Sequence, residues 1–456
     1  MNRREFIKTG AGAFLVASAG NSFGGVFGSA SDRIRVALVG CRKGGRGQAL
    51  MGALLKCPNV EIACVCDPDL RGMDYTAACL ACDGYPTPRK EKDFRKVLEM
   101  KDIDAVVSAT PDHFHAYSAV MAMRAGKAVY VEKPCAFCPE ELNTIYRTWR
   151  ETGAIFQMGS QRRSAPSFMQ AVKAIREDGL IGVPRYGKCW YNTYRDPVAK
   201  GAVTAAPAWL DWDLWQSCAP REAYRENIVH YNWHWFRKWG TGECGNNQVH
   251  FTDVARWCLG VDYPDTVVSL GGQYFMPEDS AWEWPDTQMM SYTYPGGKFI
   301  TWEGSSGSKG MEKTAFMGFG TASMVFGTEG SALFCPGGAV LVYDKDGTMV
   351  REMTADGKPV KTQITNTNDR SGAGWADSTP DHFANFFEAI REKNQKLCRA
   401  NAEIAVKSTF LPLAGNVAQL TGEMLKIDPS TGALLNGSAA AKNLWTREYA
   451  KGWEVR

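Results

Sequence analysis

The stretch from Ile34 to Asp67 restricts the possible fold more than any other part of the chain. An apolar strand, Ile34 to Val39, runs into Gly40, Gly44, Gly45 and Gly47. A helical segment, Gln48 to Leu55, follows, and then a second apolar strand, Val60 to Val65, closed by Asp67. Residues without a Cβ let a turn approach a pyrophosphate, a helix N-terminus supplies amide donors, and a carboxylate about 20 residues on can bind a ribose diol. Asp67 lies 20 positions after Gly47. The turn is roughly two residues longer than the simple G-x-G-x-x-G, and glycines alone also mark ordinary loops. The flanking strands, the helix and Asp67 turn it into a dinucleotide site, formed by Gly40, Gly44, Gly45, Arg46, Gly47 and Asp67. A carboxylate at Asp67 favours NAD over a 2′-phosphorylated cofactor. Arg42 and Lys43 can offset that repulsion, so NADP stays compatible.

Strands and helical segments keep alternating. A strand Asp104 to Ala109 ends at Thr110-Pro111-Asp112-His113-Phe114-His115, and another, Ala128 to Val131, ends at Glu132-Lys133-Pro134. A helix from Pro139 and a strand Ala154 to Met158 complete residues 31–158. This order predicts an α/β, Rossmann-type doubly wound parallel sheet, in which ligands bind beyond the carboxyl ends of the strands. Gly40, Asp67, Thr110, Pro111, Glu132 and Lys133 all fall at such ends.

From residue 159 the texture becomes that of an α+β domain reaching about residue 427. Its expected strands are Tyr186 to Tyr194, Thr266 to Tyr274, Gln288 to Tyr294, Lys298 to Glu303, Ala315 to Phe326, Ser331 to Phe334 and Ala339 to Tyr343. The turn Asp344-Lys345-Asp346-Gly347 makes the pairing antiparallel. Helices are expected over Asp381 to Lys393 and Ala402 to Leu425. The tail, 428–456, is expected to lie on the surface through Trp445 and Trp453.

A chain of 456 residues with 45% hydrophobic and 22% charged residues has room for two domains. Its net charge of +3 makes no electrostatic case for nucleic acid. The first 30 residues read as a twin-arginine signal. Arg3-Arg4 precedes an apolar run, Ala11 to Ala19, too short to span a bilayer, and Ala17-Ser18-Ala19 and Gly28-Ser29-Ala30 are small-residue stretches suited to cleavage. Export to the periplasm is the expectation, with no stable membrane anchor. Fourteen cysteines include Cys79-x-x-Cys82 and Cys135-x-x-Cys138, but no matching Cys/His flank completes a ligand set, and no metal is expected.

Three groups of residues carry chemistry. Lys133 at a strand end is placed to hold or protonate a substrate oxygen. Asn246 and His250 are four apart on an expected helix, where a histidine can shuttle a proton near neutral pH, whereas Asp253 suits a structural part. The run His230 to Trp239 is dense in aromatics, which serve equally for stacking on sugar rings, for a core or for a subunit interface. Arg162, Trp233, His234 and Trp235 are the candidates for substrate contact.

Taken together, the Gly40–Gly47 turn, Thr110-Pro111 with His115, Glu132-Lys133-Pro134 and Gly245…His250-x-x-Asp253 resemble the Gfo/Idh/MocA oxidoreductases, from Ile34 to about Leu425. That resemblance implies a dinucleotide-binding domain followed by an open, mainly antiparallel sheet that faces the nicotinamide and mediates homo-oligomerisation. It also implies Lys133 and His250 as a catalytic pair, Glu132 at the nicotinamide ribose, and Thr110, Pro111 and His115 beside the cofactor. One departure is Asn246, where many members carry Asp; an amide cannot accept a proton. The expected activity is NAD(P)-dependent oxidation or reduction of a sugar, cyclitol or related polyol. The alternative is cleavage of a glycoside with tightly bound, recycled NAD. A binding protein that kept the fold is the third option, and the intact Lys133 and His250 speak against it.

Overall fold

The computed structural model describes residues 33–311, 316–355 and 377–455, and every structural statement below concerns these. The first sheet contains β1 (Ile34–Val39), β2 (Val60–Cys66), β3 (Arg89–Glu91), β4 (Ala105–Ser108), β5 (Ala128–Val131) and β6 (Phe156–Met158). All pairs are parallel, in the order β3-β2-β1-β4-β5-β6. Such a sheet is covered on both faces, so its strands need apolar side chains at every position. Val36, Leu38, Val65, Val107 and Tyr130 face one core, which the helix Thr379–Arg391 closes with Phe383, Phe386 and Phe387. Ala37, Val39, Val106, Val129 and Val131 face the other. The order reverses between β1 and β4, which puts the ligand crevice beside Gly40.

The second sheet has nine strands: β7 (Pro184–Asn192), β8 (Thr266–Gly272), β9 (Thr287–Tyr294), β10 (Lys298–Ser305), β11 (Thr321–Gly327), β12 (Gly330–Phe334), β13 (Val340–Asp344), β14 (Met349–Met353) and β15 (Leu425–Lys426). Their order is β14-β13-β12-β11-β7-β10-β9-β8-β15, antiparallel throughout except for the central β7–β10 pair. One face is buried under the helices Val249–Leu259 and Ala402–Thr421. The period of two follows: Met290, Tyr292 and Tyr294 are buried on β9, while Met289, Ser291 and Thr293 point outward. The parallel then mainly antiparallel architecture matches the expected fold class.

Several elements depart from the sequence reading. The strand expected from Ala315 begins only at Thr321, after a turn at Phe316–Gly318, and Ala315 itself lies outside the described residues. β3 follows the two prolines as a short edge strand that its charged sequence, Arg-Lys-Glu, does not advertise. The last long helix stops at Thr421, where Gly422 turns left-handed, and Leu425 joins the sheet as β15. Most of the tail is exposed, but its tryptophans are buried beneath it: Trp445 packs on Phe410 at 5.8 Å and Trp453 on Tyr117 at 5.1 Å, both nearly inaccessible. Tyr449 also donates to Glu141 at 2.7 Å and Arg447 to the His113 carbonyl at 2.9 Å, tying the tail to the first domain's helices. The residues of the expected signal, 1–30, lie outside the described residues.

Candidate active site

The glycine turn is built for close approach. Gly40 sits at φ +93°, and a Cβ there would lie 2.5 Å from the Ala109 carbonyl oxygen, so the turn passes hard against the end of β4. A Cβ at Gly47 would lie 1.8 Å from the Gly40 oxygen, which is why the helix Arg46–Leu54 can begin so near β1. The first-turn amides of a helix have no intrahelical partner and favour an anion. Beside them, the Gln48 side chain accepts from the Gly44 amide at 2.7 Å, while its buried Nε2 donor has no partner among the described residues. A buried orphan donor, a helix start and a Cβ-free turn fit a pyrophosphate. Asp67, at the end of β2, accepts from the Cys41 amide at 2.6 Å and the Asp69 amide at 2.8 Å. Burial raises its proton affinity above the usual carboxylate range. Each oxygen keeps a second acceptor position for a ribose hydroxyl.

At the ends of β4 and β5 the expected residues meet. Glu132 is buried and paired with Arg46 at 2.9 Å, so Arg46 acts here through a carboxylate. Both nitrogens of His115 face carbonyl oxygens, of Pro134 at 2.6 Å and of Thr110 at 2.8 Å. His115 therefore braces the two loops against each other, with both ring nitrogens spent on backbone. Thr110 and Pro111 remain partly accessible at the crevice.

Lys133 is held from the second domain. Its Nζ donates to the Asn246 carbonyl at 2.7 Å and to the Asn246 side-chain oxygen at 3.1 Å. Asn246 does not sit on an ordinary α-helix: Cys244–Gln248 is a π-helical turn that leads into the helix Val249–Leu259. Such turns shift the hydrogen-bond ladder and recur at functional sites. Here the result is a carbonyl turned toward Lys133. The turn is docked by Asp112, whose carboxylate accepts from the Thr241 amide at 3.0 Å and its hydroxyl at 2.5 Å. Burial lowers the Lys133 proton affinity. His250 follows on the same helix. Burial first, then the charges of Lys133, Arg162 and Arg46, push its proton affinity well below the ordinary histidine range, so it is neutral at pH 7. Its buried Nδ1 has no partner among the described residues.

Arg162 lies over the Phe251 ring at 4.0 Å, and burial pulls its guanidinium down to about 9. Asp253 forms a two-pronged bond with Arg163, at 2.7 and 2.8 Å, a structural arrangement away from the reacting groups. The aromatic run mostly supplies core. Trp235 stacks on Trp282 at 3.8 Å and is 1% exposed, so neither it nor the buried Trp233, stacked on His234 at 3.5 Å, presents a free face to a sugar. His234 alone of the three is part-exposed, and burial with nearby cations lowers it to about 3.

Two features escaped the sequence reading. Glu243 is a buried hub, bonded to Arg195 at 3.0 and 3.3 Å and to Ser306 at 2.9 Å. The second is a strap, residues 198–239, that packs on the loop after β2. The Leu70 amide donates to the Trp209 carbonyl at 3.0 Å, and the Asp211 amide to the Pro68 carbonyl at 3.0 Å. Arg71 lies 3.2 Å above the Trp209 ring, His230 bonds Asp69 at 2.6 Å, and Arg42 reaches the His230 carbonyl at 3.3 Å. All these contacts join positions more than 100 residues apart, which no local pattern announces. Among the described residues no cluster of three His, Cys, Asp or Glu could hold a metal, and all fourteen cysteines are thiols.

Fold and crevice together define a two-domain dinucleotide-binding protein. The family model described as "Oxidoreductase family, NAD-binding Rossmann fold" matches residues 34–160, and "Oxidoreductase family, C-terminal alpha/beta domain" matches 214–406. Between them they span more than half of the chain, which belongs to the Gfo/Idh/MocA oxidoreductase family and carries its NAD-binding domain. Among curated relatives, a glycosyl hydrolase family 109 protein of Saccharopolyspora erythraea is 31% identical over 37% of this chain and 37% of its own length. A scyllo-inositol 2-dehydrogenase (NAD(+)) of Bacillus subtilis is 30% identical over 34% of this chain and 44% of its own. The chain thus spans less than half the length of these two relatives. A solved levoglucosan dehydrogenase, in complex with NADH and levoglucosan, superposes with a TM-score of 0.63 at 17% identity, covering 86% of this chain and 99% of that one.

Proposed function

We propose that this protein is an exported NAD(P)-dependent oxidoreductase acting on a hydroxyl group of a sugar, cyclitol or related polyol. The observation that carries the reading is the convergence of Lys133 and a neutral His250 at the carboxyl end of the first sheet, beyond a turn fitted to a pyrophosphate. Bound nicotinamide would accept or return a hydride. His250, uncharged at pH 7, would take the hydroxyl proton as the carbonyl forms and give it back in reduction. Lys133, with two of its three donors directed to Asn246, would hold the substrate oxygen with the third. Arg162 and His234 would line the substrate side. The curated inositol dehydrogenase relative supports a cyclitol or sugar substrate. The test is NAD reduction across a panel of cyclitols and aldoses, with Lys133→Met and His250→Gln as controls; activity that survives both substitutions would sink the assignment.

The second reading, glycoside cleavage with a recycled NAD, draws on the strap and on the family 109 relative. Closure of residues 209–211 and His230 over the Asp67–Leu70 loop would slow cofactor exchange, which suits a cofactor oxidised and reduced within one turnover. Protein purified without nucleotide, denatured and assayed for NAD(H), separates the two. Near-stoichiometric cofactor with release of an aglycone favours the second, and an exchanging cofactor favours the first. Export rests on Arg3-Arg4 and the following apolar run. Its check is cell fractionation of wild type against Arg3→Lys/Arg4→Lys, which should retain the protein in the cytoplasm.

A further inference from the structure

Lys133 has no carboxylate within ion-pair distance among the described residues; what touches its Nζ is the carbonyl and the amide of Asn246. Behind that amide lies a charge pair, Glu243 with Arg195. Glu243 sits one turn before Asn246, is 7% exposed, and takes donors on both oxygens: Arg195 through two nitrogens, Ser306, Asn247 and, at 3.5 Å, the Asn246 Nδ2. An amide has one acceptor and one donor end. Lys133 can only donate, so the Asn246 oxygen must face it, and a carboxylate at the other end makes the opposite orientation unfavourable.

We propose that Glu243 is a positioning residue for Lys133, fixing the Asn246 amide with its oxygen toward Nζ, and that the Glu243–Arg195 pair contributes to the local field in which Lys133 holds its proton. This rests on the reading of Lys133 as the group that holds the substrate oxygen. The other charges facing Lys133 are already committed. Glu132 is paired with Arg46, the Asp112 carboxylate is engaged by Thr241, and the two nearby histidines, His234 and His250, are neutral. The Glu243 carboxylate favours the protonated form of Lys133 and acts alongside Glu132 and Asp112 against the penalty of burial. Arg195, bonded also to the Tyr191 and Tyr231 hydroxyls, balances it. Removing either member of the pair leaves the other's charge beside Lys133, with opposite signs.

The test is competitive acetylation of the full chain with acetic anhydride across pH, the Lys133 peptide being quantified by mass spectrometry. Only the neutral amine reacts, so the midpoint reads the protonation of Lys133 without substrate or turnover. Glu243→Gln should move the midpoint down and Arg195→Gln should move it up, each by about one pH unit. The double variant should return close to wild type. No shift in either single variant, or shifts in the same direction, overturns the proposal, since a purely structural disturbance has no reason to obey charge sign. If Glu243→Gln does not fold, Arg195→Gln decides alone, a rise in midpoint supporting the proposal and no rise overturning it. A lysine that titrates as expected in a protein without dehydrogenase activity would refute the functional reading and leave this one standing.

Discussion

At the scale of single residues, the site is a set of groups whose ordinary properties are changed by burial. His250 is kept neutral by its surroundings, and Lys133 is held by an amide and a carbonyl. Replacing either should reduce turnover by about 10²–10⁴-fold with little change in melting temperature, read by steady-state kinetics alongside thermal unfolding. Gly47 permits no side chain, because a Cβ would collide with the Gly40 oxygen at 1.8 Å. Gly47→Ala should weaken NAD binding by at least about tenfold, measured by calorimetry, since the turn must open to admit the methyl group. Gly40, Asp67 and Lys133 stood out by their places at strand ends and Gly47 by the glycine turn, whereas His250 was singled out by its spacing from Asn246 on an expected helix and the role of Glu132 through the family resemblance. Glu243 and Gln48 were not, because a glutamate before a helix and a glutamine inside one are unremarkable until their partners are known. The aromatic run misled in the other direction: Trp233 and Trp235 look like a sugar platform in sequence, and tertiary packing on Trp282 and His234 uses up their faces.

At the scale of elements, the strands of the first sheet, the charged edge strand β3 excepted, announced themselves because burial on both faces demands unbroken apolar runs. Two further elements gave no such signal. The π-helical turn at Cys244–Gln248 differs from an α-helix by one shifted hydrogen bond, which leaves the side-chain pattern almost unchanged. The strap owes its position to single contacts, above all the His230–Asp69 bond at 2.6 Å and the Arg71–Trp209 stack. His230→Ala should therefore speed release of NAD, by roughly five- to thirtyfold if the bond contributes about 1–2 kcal/mol to closure. Stopped-flow displacement of bound NADH reads this directly, and an unchanged rate would mean that the strap does not cover the cofactor.

For the whole molecule, acid stability follows from the histidines. His113 and His234 are lowered to about 3 and His382 to about 4, in each case chiefly by burial, and His250 is also well below its usual value. The unfolded chain binds protons at these sites near pH 6.5, whereas the folded one does so only near 3–4. The unfolded state therefore gains protons first, and stability should fall as pH drops from about 6.5 toward 4. Chemical denaturation at pH 7 and pH 5 checks the sign, and His113→Gln should flatten the slope. The outward face of the second sheet exposes Leu270 (73%) and Met289 (56%), which pair across β8 and β9. If it joins copies of the chain, Leu270→Glu with Met289→Glu should yield monomers in light scattering, the cofactor site being on the other domain.

By itself the sequence determined the parallel sheet, the cofactor turn and the strand ends that bear Lys133 and Glu132, because these depend on local periodicity and on residues that no other backbone geometry tolerates. The second sheet's strands were legible from their period of two, but not their order or the parallel β7–β10 pair at its centre. Only the tertiary structure decided the rest: which carboxylate stands behind Lys133, which aromatics are core, where the tail's tryptophans are buried, and what packs on the loop after β2. Those outcomes join residues far apart in the chain, and contacts of that kind are set by the packing of the whole rather than by any stretch of it.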